Sequence, residues 1–219
     1  MTRRIDAVLN RLKGGLVVSS QAPEGSPLRH PKVLAAMALA ALDAGAKGIR
    51  LDGPAVIREV RKSTKAPIIG LLKRGTKGVY ITPTFADARR LADAGADLIA
   101  LDATMRRPDL AELVTRIVND LRVGVVADVA DAAEGRRAAL TEATFVASTL
   151  SGYVGGGSVP TGPDLALVTA LARTGKPVLA EGRYATRDAV REAFRRGAWC
   201  VCIGGAITRP DTLTKGLLP

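Results

Sequence analysis

Histidine is nearly absent: it occurs once in 219 residues, as His30. That excludes a multi-histidine metal site and a Ser-His-Asp triad built on any other histidine. His30 lies in Pro27-Leu28-Arg29-His30-Pro31, which reads as a solvated turn ahead of a helix. Cysteine is almost as scarce. Cys200 and Cys202 are the only two, and on a strand they would point to the same face. They read as buried thiols in a reduced chain rather than as a bridge. Aromatic residues make up 3% of the chain, too few for the stacking platforms of single-strand nucleic-acid binders. No apolar run approaches the ~18 residues of a membrane span. The N terminus has no apolar core of the kind a secretory signal needs. A cytoplasmic chain with no membrane partner is the expectation.

What is abundant is positive charge. Thirty-two Lys and Arg stand against 21 Asp and Glu, a formal net charge of +11. The excess is uneven: residues 1–80 hold 15 basic and 5 acidic residues, residues 81–219 hold 17 and 16. Such asymmetry points to an anionic partner, either nucleic acid or a phosphorylated small molecule. The length suits one large domain or two small ones, enough to bury a sizeable core without staples.

The chain has an internal rhythm. Asp43-Ala44-Gly45-Ala46 precedes the apolar stretch Gly48–Asp52, and 50 residues later Asp93-Ala94-Gly95-Ala96 precedes Leu98–Asp102. Phe145-Val146-Ala147 and Cys200–Ile203 fall on the next beats. A second series interleaves: Leu16-Val17-Val18, Ile68–Leu72, Val123–Ala127 and Val178-Leu179-Ala180. Eight short apolar runs suit strands buried on both faces of a parallel sheet. Helical stripes separate them, such as Val33, Leu34, Met37, Ala38 and Ala41, or Leu165, Leu167, Val168 and Leu171. Thr84 with Asp87 marks a helix start; Gly45, Gly95 and Gly197 mark helix stops. Eight such units in ~200 residues predict an α/β fold, a single (β/α)8 TIM barrel spanning 1–219. A doubly wound sheet is the alternative, though it usually has five or six strands. Residues 2–12 form an extra amphipathic helix, with Ile5, Val8, Leu9 and Leu12 on one face, so that residues 1–13 cap the barrel bottom.

In this fold the chemistry belongs at the C-terminal strand ends. Those ends carry Ser19-Ser20-Gln21, Arg50, Lys73-Arg74, Asp102, Asp128, Ser148–Tyr153, Glu181-Gly182-Arg183 and Gly204-Gly205-Ala206. Asp102, Asp128, Thr149 and Ser151 could equally be helix caps. Arg50, Lys73 and Glu181 are not cap residues, and an unpaired charge in or after an apolar strand is costly. Arg74, Arg106 and Arg107 read as solvated loop charges. The glycines after the seventh and eighth strands, Gly182, Gly204 and Gly205, open backbone N–H groups to an anion, where barrels of the phosphate-binding type hold phosphate. Arg183 and Arg209 would add charge-assisted bonds. The stretch 152–163, with five Gly and two Pro, is either a lid or a featureless loop.

Several of these segments resemble one family. They are Gly14–Ala22, Pro67–Arg74, Val79–Thr84, Ile99–Thr104, Ala127-Asp128, Ser148–Tyr153, Ala180–Arg183 and Gly204–Pro210. In this order and spacing they resemble the N-acetylmannosamine-6-phosphate 2-epimerases, also called N-acylglucosamine-6-phosphate 2-epimerases. The resemblance implies a barrel that epimerises carbon 2 of a sugar phosphate in sialic acid breakdown, with no metal or organic cofactor. It implies Lys73 and Glu181 as catalytic residues. Gln21, Arg50, Asp128, Ser151 and Tyr153 would bind the sugar; Gly182, Arg183, Gly204, Gly205 and Arg209 would bind the phosphate. The sequence departs from the family in the short basic loop Gly75–Gly78 and in the glycine-rich 152–163 stretch. As a base, Lys73 must lose its proton. That needs a fall from ~10.4 to about 7–8, about 4 kcal/mol of differential interaction. An ionised Glu181 nearby would oppose it. A nucleic-acid module using the +11 charge and a pentulose-phosphate epimerase are the rival readings. A homodimer is compatible with the chain, whose oligomeric state the sequence leaves open.

Overall fold

The computed structural model describes residues 3–154 and 158–218. Part of the 152–163 stretch, read as either a lid or a featureless loop, lies outside the described residues: residues 155–157. Eight strands alternate with helices. The strands are β1 Leu16–Ser20, β2 Gly48–Asp52, β3 Ile68–Leu71, β4 Leu98–Asp102, β5 Gly124–Asp128, β6 Phe145–Ala147, β7 Val178–Glu181 and β8 Cys200–Ile203. The helices are α1 Arg3–Leu12, α2 Pro31–Asp43, α3 Pro54–Arg61, α4 Phe85–Asp93, α5 Leu110–Leu121, α6 Ala132–Ala139, α7 Leu165–Ala172, α8 Arg187–Arg195, α9 Gly205–Thr208 and α10 Pro210–Lys215.

Each strand pairs in parallel with the next, and β8 returns to β1 through Leu16 opposite Val201. The sheet is therefore a closed barrel, the (β/α)8 fold that the eight apolar runs predict. Helix signals behave as read. Thr84 accepts the Asp87 N–H at the start of α4. Gly45, Gly95 and Gly197 take φ of +104°, +106° and +96° after α2, α4 and α8, the left-handed stop that glycine makes cheaply. In α2 the buried face differs from the expected stripe. Leu34, Ala35 and Ala38 are buried, whereas Val33 is exposed. This helix is apolar nearly all round, so periodicity alone does not single out its inner face.

Side-chain alternation along the strands divides the core into two. One set, including Ile49, Leu51, Ile68, Ile99, Val125 and Val201, packs outward against the helices. The other fills the barrel: Val17, Ile69, Leu98, Ala100, Val126, Phe145, Leu179, Cys200 and Cys202. Ile5, Val8, Leu9 and Leu12 of α1 belong to this inner cluster. The helix is pinned there by the Trp199 indole, which donates to the Leu9 carbonyl at 2.9 Å. Leu12 sits over Gly48, where an added Cβ would lie 2.6 Å from Leu12 Cδ2. With the interior plugged at its N-terminal end, the strands' open C-terminal ends are left to form a mouth. The inner-face register that carries Ile69, Leu98 and Val126 continues there as polar side chains. Among the described residues, no helix is long and apolar enough to cross a membrane.

Candidate active site

The inner faces of β2, β5 and β7 converge on one guanidinium. Arg50 is 1% exposed. It donates to both oxygens of Asp128, Nη1 to Oδ1 at 3.1 Å and Nη2 to Oδ2 at 2.7 Å. Its Nη1 also lies 2.6 Å from Glu181 Oε2. Thr149, on the turn after β6, donates to Asp128 Oδ1 at 2.7 Å and sits 3.2 Å from Glu181 Oε2. Burial alone would lower the Arg50 pKa, but the two carboxylates outweigh it and hold the cation. One cation between two carboxylates leaves a single excess negative charge. Asp128 takes the fork-to-fork geometry that secures an ionised carboxylate. Glu181, with one contact, takes the strain. Burial and the Asp128 charge push its carboxyl above the usual range, against the pull of Arg50.

Lys73 stands across the mouth, two residues beyond the end of β3. Its backbone is fixed on both sides. The N–H donates to Asp52 Oδ1 at 3.1 Å, and Lys73 bridges antiparallel to Ile81. Desolvation by the surrounding walls lowers its ammonium pKa, and Arg50 adds to this; Asp52, Glu181 and Asp128 pull the other way without cancelling it. The residue is open to the cavity.

These groups line a cavity of about 620 Å³. Gln21, Arg50, Lys73, Tyr153, Glu181, Gly182, Arg183, Gly204, Gly205 and Arg209 all border it. At its β7–β8 side Gly182 has φ +111°, and an added Cβ at Gly205 would meet nothing within 4 Å. The first N–H groups of the short α9 have no carbonyl one turn before them. Gln21 Nε2 donates to Ser19 Oγ at 2.7 Å, while Gln21 Oε1 is buried without a partner.

The remaining expected residues sit elsewhere. Asp128 is fully buried beneath Arg50, so it orients that side chain rather than meeting the cavity. Ser151 is buried and donates to Asp164 Oδ2 at 2.7 Å, because its turn aims the hydroxyl at the start of α7. Arg183 borders the cavity, but its guanidinium donates to the carbonyls of Ser151 and Gly162. Arg209 pairs at the rim with Asp211. Arg107, read as a solvated charge, is 2% exposed: it donates to the backbone carbonyls of Asp102, Thr82 and Pro83. A guanidinium carries five N–H donors in a fixed fork, enough to serve several carbonyls at once.

Residues given no binding or catalytic role from the sequence also line the cavity, among them Ser19, Tyr80, Thr149 and Tyr184. Thr149 stands in a strand-end motif but was assigned no binding role. The Tyr184 hydroxyl is buried without a partner, and burial beside Asp164 pushes it up to about 12.

Residues 34–218 match the sequence model of a family described as "Putative N-acetylmannosamine-6-phosphate epimerase". Two relatives are named "Putative N-acetylmannosamine-6-phosphate 2-epimerase" and "Putative N-acetylmannosamine-6-phosphate 2-epimerase 1". One, from Cutibacterium acnes, is 41% identical over 216 residues, covering 95% of this chain and 94% of its own. Another, from Salmonella typhimurium, is 46% identical over 207 residues, covering 92% and 90%. A solved structure, the N-acetylmannosamine-6-phosphate 2-epimerase from Clostridium perfringens, superposes with a TM-score of 0.89 at 36% identity, covering 95% of this chain and 93% of that one. By sequence along nearly its whole length and by fold, the chain belongs to the N-acetylmannosamine-6-phosphate 2-epimerase family.

Proposed function

We propose that this protein interconverts N-acetylmannosamine 6-phosphate and N-acetylglucosamine 6-phosphate by removing and returning the proton on carbon 2, in amino-sugar and sialic acid catabolism. The observation that carries the reading is that Lys73, Glu181 and the glycine loops after β7 and β8 line one cavity. A sugar phosphate with its phosphate at Gly182, Gly204, Gly205 and Arg209 would present its other end to Lys73 and Glu181. A phosphorylated substrate and two unbridged cysteines fit a cytoplasmic location.

The C2 proton is acidic only beside a carbonyl, so the ring must first open. Glu181, whose raised pKa lets it carry a proton, serves the ring oxygen and O1. Neutral Lys73 Nζ then takes the C2 proton; the C2–H electron pair becomes the C1–C2 double bond of an enolate, and negative charge collects on O1. Arg50 offsets that charge, as a preorganised cation in a dry site does well. After the enolate turns, the Lys73 ammonium gives a proton to the opposite face of carbon 2, the C1–C2 double-bond pair forms the new C–H bond, the carbonyl at C1 is restored, and the epimer results. The protonated share of Glu181 also eases a conflict: a neutral carboxyl does not hold the proton on Lys73.

Turnover of N-acetylmannosamine 6-phosphate in deuterated water tests this. Product with deuterium at carbon 2 is expected, and Lys73→Ala should cost about 10²–10⁴ in kcat. Product without solvent deuterium, or no product at all, overturns the reading.

A further inference from the structure

Arg183 is a non-glycine residue in the left-handed region, at φ +61°. Such backbone costs on the order of 1 kcal/mol and persists where the surroundings require it. Here it sends the side chain away from the floor of the cavity and into the neighbouring loop. Nε donates to the Gly162 carbonyl and Nη1 to the Ser151 carbonyl, both at 2.5 Å. The guanidinium also lies 5.5 Å from the Tyr153 ring centre, within cation–π reach. Two segments of the connection, Ser151–Val154 and Ser158–Asp164, are thus held by one planar fork. A second tie runs in parallel: Ser151 Oγ donates to Asp164 Oδ2 at 2.7 Å, and Asp164 Oδ1 caps α7 through the Leu167 N–H. The packing is tight around the clasp. A Cβ on Gly152 would lie 2.6 Å from Pro160 Cδ and 3.1 Å from Arg183 Nη1. The segment so fixed carries Tyr153, half exposed on the cavity rim.

We propose that Arg183 is a positioning residue for the sugar-phosphate epimerisation inferred above: its guanidinium clasps the two segments and holds Tyr153 at the rim over the bound sugar. It acts through the loop rather than as a ligand of the phosphate. A lysine is a poor replacement: an ammonium can serve two carbonyls, as Lys176 Nζ does for Thr141 and Ala143, but it lacks the planar fork that at the same time faces the Tyr153 ring.

The test compares Arg183→Lys, Arg183→Met and Ser151→Ala with the unaltered enzyme. Three quantities are read: kcat and KM for N-acetylmannosamine 6-phosphate, the calorimetric Kd of inorganic phosphate, and hydrogen exchange of the 151–164 peptide. For all three variants the clasp predicts faster exchange in 151–164, an unchanged phosphate Kd, and a KM raised about tenfold with kcat less affected. Ser151→Ala loosens the same segments without removing a positive charge, so it separates clasp from charge. A phosphate Kd that rises in step with KM in both Arg183 variants, with exchange unchanged, makes Arg183 a phosphate ligand and overturns the proposal. Full rescue by Arg183→Lys also overturns it. Exchange and phosphate affinity are readable without turnover. An enzyme inactive on the sugar phosphate would therefore sink the epimerase reading while the clasp is still decided.

Discussion

Arg50 and Asp128 face each other across the barrel interior as a two-bond ion pair in which both side chains are at most 1% exposed. Pairs this deep add little net stability when intact, but removing one partner strands a charge in low dielectric. Here Glu181 still faces the guanidinium, so Asp128→Ala should cost about 1–3 kcal/mol, the loss of buried charged hydrogen bonds, read as a lowered urea midpoint with an unchanged slope. The surviving guanidinium would turn wholly to Glu181 and pull that carboxyl down. A loss under 1 kcal/mol would show that water reaches the pair and that the triad is not dry.

Asp52 is the largest acidic influence on Lys73 and accepts its backbone N–H. Asp52→Asn keeps an acceptor oxygen for that N–H but removes the charge. The sign is then clear. Losing a nearby negative charge destabilises the ammonium, so the Lys73 pKa falls further and the acid-side limb of the kcat/KM profile moves to lower pH. Arg50 from β2, Glu181 from β7 and Asp128 from β5 also act on Lys73, and the substitution leaves them in place. A limb that stays put or moves up would mean that Lys73 is not the group titrating there.

The barrel was legible in the sequence because its strands are buried on both faces, which leaves apolar runs that no loop imitates. Arg50 was legible for the same reason: a charge inside such a run must have a partner. Which partner was not. Asp128 lies 78 residues away, and only barrel closure brings β2 and β5 inward together. Arg107 looked like half of a surface Arg-Arg pair, since sequence shows charge but not the backbone carbonyls that absorb it. The direction of Arg183 depends on one left-handed φ, which Gly182-Arg183 does not announce. Even the basic N-terminal half proved a coarse guide. Only Arg50 and Lys73 of its charges reach the cavity, while the glycine loops lie in the nearly neutral half.

The other end of the barrel provides a control. Gly48 makes room for Leu12 of α1, and a Cβ there would also lie 3.1 Å from the Pro67 carbonyl. Gly48→Ala must push α1 outward or bend β2, an overpacking cost of about 1–3 kcal/mol. Its effect should appear as a lower melting temperature and faster exchange in the 3–12 peptide. KM should hold within about twofold, because distant sites act independently. A large change in KM would mean that the plug and the mouth are coupled through Arg50.

Thr149 has one hydroxyl proton and two carboxylate neighbours, Asp128 Oδ1 at 2.7 Å and Glu181 Oε2 at 3.2 Å. The shorter contact, to Asp128 Oδ1, takes that proton. Turned toward Glu181 instead, the same hydroxyl donates to Oε2 and favours the ionised carboxylate. Replacing Thr149 with Val preserves shape but removes the hydroxyl dipole that helps hold Glu181 ionised. Glu181 should become easier to protonate, so the limb of the pH–rate profile that reports its ionisation moves to higher pH. Asp128 also loses one of the three hydrogen bonds its carboxylate accepts, and stability should fall by about 0.5–1.5 kcal/mol. If the limb moves to lower pH instead, Thr149 accepts from a protonated Glu181 rather than donating to its carboxylate, and the assigned direction of this hydrogen bond is overturned.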